Sequence, residues 1–129
     1  MKQPNIVMII TDQQRADTMA CYGNSIIKTP NLNKLADESF VFENAYVSQP
    51  ICTPSRSTIL TGIYPHATGC VRNNLPLDAD SLTIAELAPP KYLTAYYGKW
   101  HLGDEVKPQR GFDEWLSCED QYRKYYTDD

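Results

Sequence analysis

Cys52-Thr53-Pro54-Ser55-Arg56-Ser57-Thr58-Ile59-Leu60-Thr61-Gly62 is the stretch on which the reading of this chain turns. It has the form C-x-P-S-R-x-x-x-x-T-G, with six fixed positions. At average residue usage such a string arises by chance about once in 10^7 to 10^8 start sites. Proline suits the first turn of a helix, where its missing N–H would have had no partner. Position 52 is therefore expected just before a helix N-terminus, where backbone N–H groups favour an anion. Arg56, one turn in, is a candidate to pair with that anion. Taken alone, Cys-x-Pro would better suit a buried structural cysteine ahead of an ordinary helix.

Outward from this string the chain alternates between strand-like and helix-like segments. Upstream, Asn5-Ile6-Val7-Met8-Ile9-Ile10-Thr11 is a continuous apolar run, which predicts a central strand covered on both faces. Asp12 and Gln13 follow at its C-terminal end, where α/β sheets place ligands. Asp12 also suits a cap on the next segment. Thr29-Pro30 predicts a helix start, with Thr29 as N-cap and Leu32, Leu35 and Ala36 on one apolar face. Phe40-Val41-Phe42 and Ala45-Tyr46-Val47 predict a strand or extended segment. Downstream, Tyr64 to Pro76 predicts a long loop, with His66 structural. Leu82 to Ala88 predicts a short helix stopped by Pro89-Pro90. Leu93 to Tyr97 predicts a second inner strand running into Gly98-Lys99-Trp100-His101-Leu102-Gly103. Alternation along such a strand would send Lys99 and His101 to one face, two hydrogen-bonding groups aimed at one anion. Residues 119–129 are charged and tyrosine-rich with weak periodicity, and are expected to be a disordered tail.

Composition narrows the function classes. The chain has 129 residues, 42% hydrophobic and 22% charged, enough for one small globular domain. A net charge of −4 gives no support for a nucleic-acid surface. No apolar run approaches the roughly 20 residues that span a membrane. Residues 6–10 are too short for a signal-peptide core, so a cytoplasmic location is expected. Cys21, Cys52, Cys70 and Cys118 form no C-x-x-C pair, and the only histidines are His66 and His101. That argues against a disulfide framework or a zinc site, and for reduced thiols at 21, 70 and 118.

The Cys52 string closely resembles the signature of the sulfatase family, and Gly98 to Gly103 resembles that family's second signature. Tyr64 to Asn73 and the Arg110-Gly111-Phe112-Asp113 run are also similar to the family, the latter expected as a structural turn. The resemblance runs over roughly residues 4 to 116. It implies an α/β fold like the alkaline-phosphatase-like sulfatase domain, with mostly parallel central strands flanked by helices. Residues 1–129 would be its N-terminal part. It implies that Cys52 is oxidised by a formylglycine-generating enzyme to formylglycine. One hydroxyl of the aldehyde hydrate would attack the sulfur of a sulfate ester. The other, once deprotonated, would expel sulfate and regenerate the aldehyde, splitting one hard step into two easier ones. Asp12, Gln13 and position 52 would hold Ca²⁺, or another divalent cation such as Mg²⁺ or Mn²⁺, through hard oxygen donors. Arg56, Lys99 and His101 would hold the nucleophile and the sulfate. Asn73, with Asn74 competing for the role, would hydrogen-bond the hydrate or the sulfate. The substrate would be a small-molecule or carbohydrate sulfate ester.

Two departures accompany the resemblance. Pro89 and Pro90 interrupt the helix before the second signature, and Lys91 stands where the family has glycine, which would shift the strand carrying Lys99 and His101. The family's remaining ligands, an Asp followed by Asn or His and a further lysine and histidine, have no convincing match after Gly103. The 129-residue chain is therefore expected to be inactive by itself. Three alternatives stay open. A phosphonate monoester or phosphodiester hydrolase of the same superfamily would share the Cys52 string. A non-catalytic fragment would leave Cys52 unmodified. A thiol enzyme would use Cys52 directly with His66 or His101.

Overall fold

The computed structural model describes residues 3–118. The expected tail at 119–129 lies outside the described residues. The chain divides between Tyr46 and Val47 into two compact units.

In the first unit, residues 5–11 join no strand, and their side chains are exposed, Val7 at 81% and Ile9 at 84%. This corrects the central strand expected there. A strand exists only as one side of a ladder, and a both-faces-apolar strand needs neighbours on each edge and cover on each face. The described residues contain a single sheet of two strands, both in the second unit. Residues 40–42 and 45–47 likewise join no strand, and Phe40 is 97% exposed, though the Phe42 carbonyl accepts from the Tyr22 hydroxyl at 2.9 Å. Two short 3₁₀ turns come next, Ala16–Thr18 and Ala20–Tyr22, the first carrying Asp17, which pairs with Arg15. Asn24 steadies the connection by accepting from the backbone N–H of Ile26 and Ile27. Helix α1 spans Pro30–Asp37, as its Thr-Pro start predicts. Thr29 occupies the N-cap position without a capping side-chain bond. Its Oγ1 instead accepts from Ala20 N at 3.0 Å and donates to Asn33 Oδ1 at 3.1 Å, tying the second 3₁₀ turn to the helix.

The second unit holds the core. Helix α2 spans Cys52–Thr61 and ends at Gly62, whose φ of 72° is the left-handed stop that a residue without Cβ adopts freely. A single turn, α3, covers Pro65–Thr68 inside the stretch expected to be loop throughout. Strands β1 (Ala95–Lys99) and β2 (Glu114–Cys118) run parallel, with Ala95 opposite Glu114 and Lys99 opposite Cys118. The core is built from Leu60 of α2, Cys70, Trp100 and Leu102, with Tyr96, Phe112 and Trp115 packed against it. Tyr96, Trp100 and Trp115 meet with ring centroids 5.1–5.2 Å apart, mixing stacked and edge-on contacts. Among the described residues no helix is long and apolar enough to cross a membrane.

The expected helix from Leu82 to Ala88 is one turn only. Its start is a capping box. Glu86 Oε2 accepts from Thr83 N at 2.8 Å, while Glu86 N donates to Thr83 Oγ1 at 3.4 Å. Pro89 has no N–H to extend it. The Arg110-Gly111-Phe112-Asp113 run closes on this turn as the structural element expected. Arg110 O accepts from Thr83 Oγ1 at 2.6 Å, and Gly111 lies against Glu86 with φ 84°. A Cβ at 111 would come within 2.8 Å of Glu86 N, so no larger residue fits. Thr94 then fixes where β1 begins, two residues later than expected. Its hydroxyl donates to Gly111 O at 2.7 Å, and its carbonyl accepts from Asp113 N and Glu114 N.

Candidate active site around Cys52

Cys52 is the first residue of α2, inside the helix rather than before it, and Pro54 is the third. The first intrahelical bond runs from Ser55 N to Ile51 O at 2.9 Å, so Ile51 is the N-cap. Pro54 still falls among the first N–H positions that have no partner within the helix. The Cys52 side chain springs from the first helical turn, beside the orphan N–H groups, and is half-buried.

Asn73 and Thr53 complete that helix start from outside. Asn73 Oδ1 accepts from Thr53 N at 3.1 Å, serving as the cap that Ile51 cannot be. Thr53 itself is fully buried. Its hydroxyl donates to His101 O at 2.8 Å and accepts from Asn74 N at 3.3 Å. One threonine thus binds the helix start to the Asn73–Asn74 turn and to the second signature. Asn74 has φ 65°, a left-handed conformation that asparagine tolerates better than most residues.

Lys99 and His101 reach this region by a different route from the strand alternation expected. Strand β1 ends at Lys99, and His101 has a left-handed φ of 60°, so the two do not share a strand face. Their backbones are anchored one by one. Lys99 O accepts from Arg56 Nη1 at 2.7 Å and from the Tyr96 hydroxyl. His101 O accepts from Thr53, and His101 N donates to Glu105 Oε1 at 2.9 Å. Despite the two prolines upstream, Lys99 Nζ stands 3.5 Å from Cys52 Sγ. The imidazole Nε2 of His101 lies 2.8 Å from Asn74 Oδ1. An open cleft beside it is lined by Asn74, Pro76, His101, Gly103 and Asp104. Arg56 is buried, at 8% exposure, and holds the backbone that carries Lys99.

Cys70 is the contrast to Cys52. It has no exposed surface, and burial pushes its thiol up from the usual value against the pull of hydrogen bonds from Thr68 and Ser57. His66 stacks on Tyr64, with centroids 5.8 Å apart, as a structural residue would.

Asp12 and Gln13 lie in the first unit, both exposed, with Gln13 at φ 55°. A carboxylate and an amide oxygen are donors that a hard divalent cation takes. Two of them fall short of the roughly six to eight oxygens such an ion collects. Among the described residues no group of three or more His, Cys, Asp or Glu side chains is placed to hold a metal.

Thr53, Glu105 and Tyr96 are site-building residues that sequence reasoning missed. Thr53 stood at a variable position of the string. Its one signal was a hydroxyl in a helix's first turn, where orphan groups collect. Glu105 lies four residues past His101 in a polar run with no periodicity to mark it.

Comparison with known proteins identifies the family. The family model described as Sulfatase matches residues 4–129. The Ulvan-active sulfatase of Formosa agariphila is 42% identical over 139 residues, covering 98% of this chain and 27% of that protein. The N-acetylglucosamine-6-O-sulfatase of Bacteroides thetaiotaomicron is 40% identical over 131 residues, covering 99% and 23%. A solved structure carrying the name sulfatase yidJ, from Bacteroides fragilis, superimposes with a TM-score of 0.74 at 36% identity over 84% of this chain and 26% of that one. The chain spans about a quarter of the length of these relatives. The expected α/β sulfatase fold is therefore the one this chain shares with a solved relative. Identity at this level over nearly all of its residues means that the chain belongs to the sulfatase family.

Proposed function

We propose that these residues carry the nucleophile end of a sulfuric ester hydrolase, with Cys52 converted to formylglycine. The observation that carries the reading is Lys99 Nζ at 3.5 Å from Cys52 Sγ, at the first turn of α2. Sγ stands in for the formylglycine oxygens that would occupy its place. Once formed, that group supplies a nucleophilic hydroxyl that attacks sulfur and a second hydroxyl that lets sulfate go.

This chain's residues prepare the reaction in four ways. The α2 N-terminus and the Lys99 ammonium set positive potential around position 52, favouring a sulfate dianion and the charge that grows on its oxygens. His101, beside the cleft, presents an imidazole N–H at Nε2, held on Asn74 Oδ1, that can be given to a departing oxygen during ester cleavage. Asn73 uses its carbonyl on Thr53 and leaves the donor half of its amide for a sulfate oxygen. Arg56 fixes the Lys99 backbone, so the ammonium arrives at a set point. Asp12 and Gln13 offer donors suited to Ca²⁺, Mg²⁺ or Mn²⁺.

The maturing partner is a formylglycine-generating enzyme, and the substrate is a small-molecule or carbohydrate sulfate ester. The 129 residues alone are expected not to turn substrate over, because Asp12 and Gln13 supply too few oxygen donors for such a cation.

Two measurements test this. Chain co-produced with a formylglycine-generating enzyme should yield a tryptic peptide of residues 35–56 with aldehyde in place of thiol. An intact thiol there would sink the formylglycine assignment. A chimera carrying these residues in place of the matching stretch of the Formosa agariphila relative should release sulfate from ulvan, and Cys52→Ala in it should abolish release. Faster cleavage of an aryl phosphonate than of an aryl sulfate by the same chimera would favour the phosphonate hydrolase reading, which Asp12-Gln13 keeps in view.

A further inference from the structure

We infer that Thr53 and Glu105 are positioning residues: together they hold His101 in its left-handed backbone conformation and so aim the imidazole along the cleft. The inference rests on the hydrolase reading for its catalytic consequence, though not for its geometry. A non-glycine residue at φ 60° persists only when its surroundings over-determine it. Here both backbone groups of His101 are taken by side chains. Its carbonyl accepts from Thr53 Oγ1 at 2.8 Å, and its N–H donates to Glu105 Oε1 at 2.9 Å.

Both clamps are themselves fixed. Thr53 has no exposed surface and sits in the first turn of α2. Glu105 is 9% exposed, and its carbonyl accepts from Trp115 Nε1 at 2.7 Å and Ser117 Oγ at 2.8 Å on β2. The brace therefore runs from the helix that carries Cys52, through His101, to the second strand. The Thr53 hydroxyl has a second task. It accepts from Asn74 N at 3.3 Å, and Asn74 Oδ1 is the partner of the imidazole Nε2 at 2.8 Å. One oxygen thus sets both the backbone of the histidine and the group that orients its ring. A hydroxyl can do this because it donates once and accepts as well. Valine has the same shape and can do neither.

The test uses isosteric pairs. In the chimera, Thr53→Val should lower kcat about tenfold or more while KM moves less than about twofold, as expected when a reacting group is displaced rather than substrate binding lost. Thr53→Ser should restore kcat. Glu105→Gln, which keeps an acceptor oxygen, should stay close to the parent, and Glu105→Leu should fall with Thr53→Val. A lowered melting temperature with kcat unchanged in Thr53→Val would overturn the inference.

Amide exchange on the 129-residue chain supplies a readout independent of turnover. The His101 N–H should be protected in the parent and in Glu105→Gln and should exchange freely in Glu105→Leu, while the Thr53 N–H, held by Asn73, stays protected. Unchanged protection of His101 in Glu105→Leu overturns the brace. A chimera inactive before any substitution would count against the hydrolase reading, and the exchange pattern would still decide the brace. If Glu105→Leu fails to fold, the Thr53→Val and Thr53→Ser pair decides it.

Discussion

At the scale of single residues, two cysteines of one chain have opposite surroundings. Cys52 is half-buried beside a lysine ammonium, whereas Cys70 is sealed in the core with its thiol pushed up by burial. An alkylating reagent should therefore label exposed Cys21 and Cys52 well before Cys70, read by peptide mass after timed quenching. Equal rates at all three would contradict the core described. Asp113 gives a pH prediction. The Thr94 backbone N–H and then its hydroxyl hold the Asp113 carboxyl below its ordinary 3.8. A carboxyl lowered in the folded state adds stability that is present above 3.8 and lost as pH falls through the folded value. Asp113→Asn should thus melt lower than the parent at neutral pH, and the gap should close in acid below 3.8. Cys52, Lys99 and His101 were legible as residues because their strings are specific. Their supports were not, because Thr53 and Glu105 act through backbone groups that leave no pattern in a sequence.

At the scale of elements, legibility followed local chemistry. Proline starts and a glycine stop mark α1 and α2, and both helices form, α2 taking in Cys52, which was expected just ahead of it. Periodicity misled where the outcome depends on a distant partner. The apolar run at residues 5–11 has the composition of an inner strand but no ladder to join, and the Lys99–His101 alternation is cut by the end of β1. The turn at residues 83–88 is the element most exposed to single changes. Gly111→Ala would place a Cβ at 2.8 Å from Glu86 N in a left-handed conformation, so it should destabilise by about 2 kcal/mol or more in urea unfolding. Thr83→Ala should cost about 1–2 kcal/mol, since it removes the capping box and the bond to Arg110 O. A wild-type midpoint for either variant would contradict the packing of the Arg110–Asp113 turn on this one.

At the scale of the whole molecule, the two units differ in how much they bury. No described residue from 3 to 46 is buried, while the second unit encloses Leu60, Cys70, Trp100 and Leu102. Hydrogen exchange should therefore be fast throughout residues 3–46 and slowest in α2 and β1. Slow exchange across residues 5–11 would mean that the apolar run is covered in solution.

The connection between β1 and β2 has a further consequence, for the order in which the molecule assembles. Parallel strands require a long crossover, and here residues 100–113 carry His101 and Glu105 on it. The bond from Thr53 to His101 spans 48 positions of chain, and the one from Arg56 to Lys99 spans 43. Loops of that length close late, after local helix contacts. Helix α2 can form early around Cys52, while Lys99 and His101 reach it across the longer loops. The proposed conversion of Cys52, if made on the unfolded or half-folded chain, would therefore come before Lys99 stands beside it.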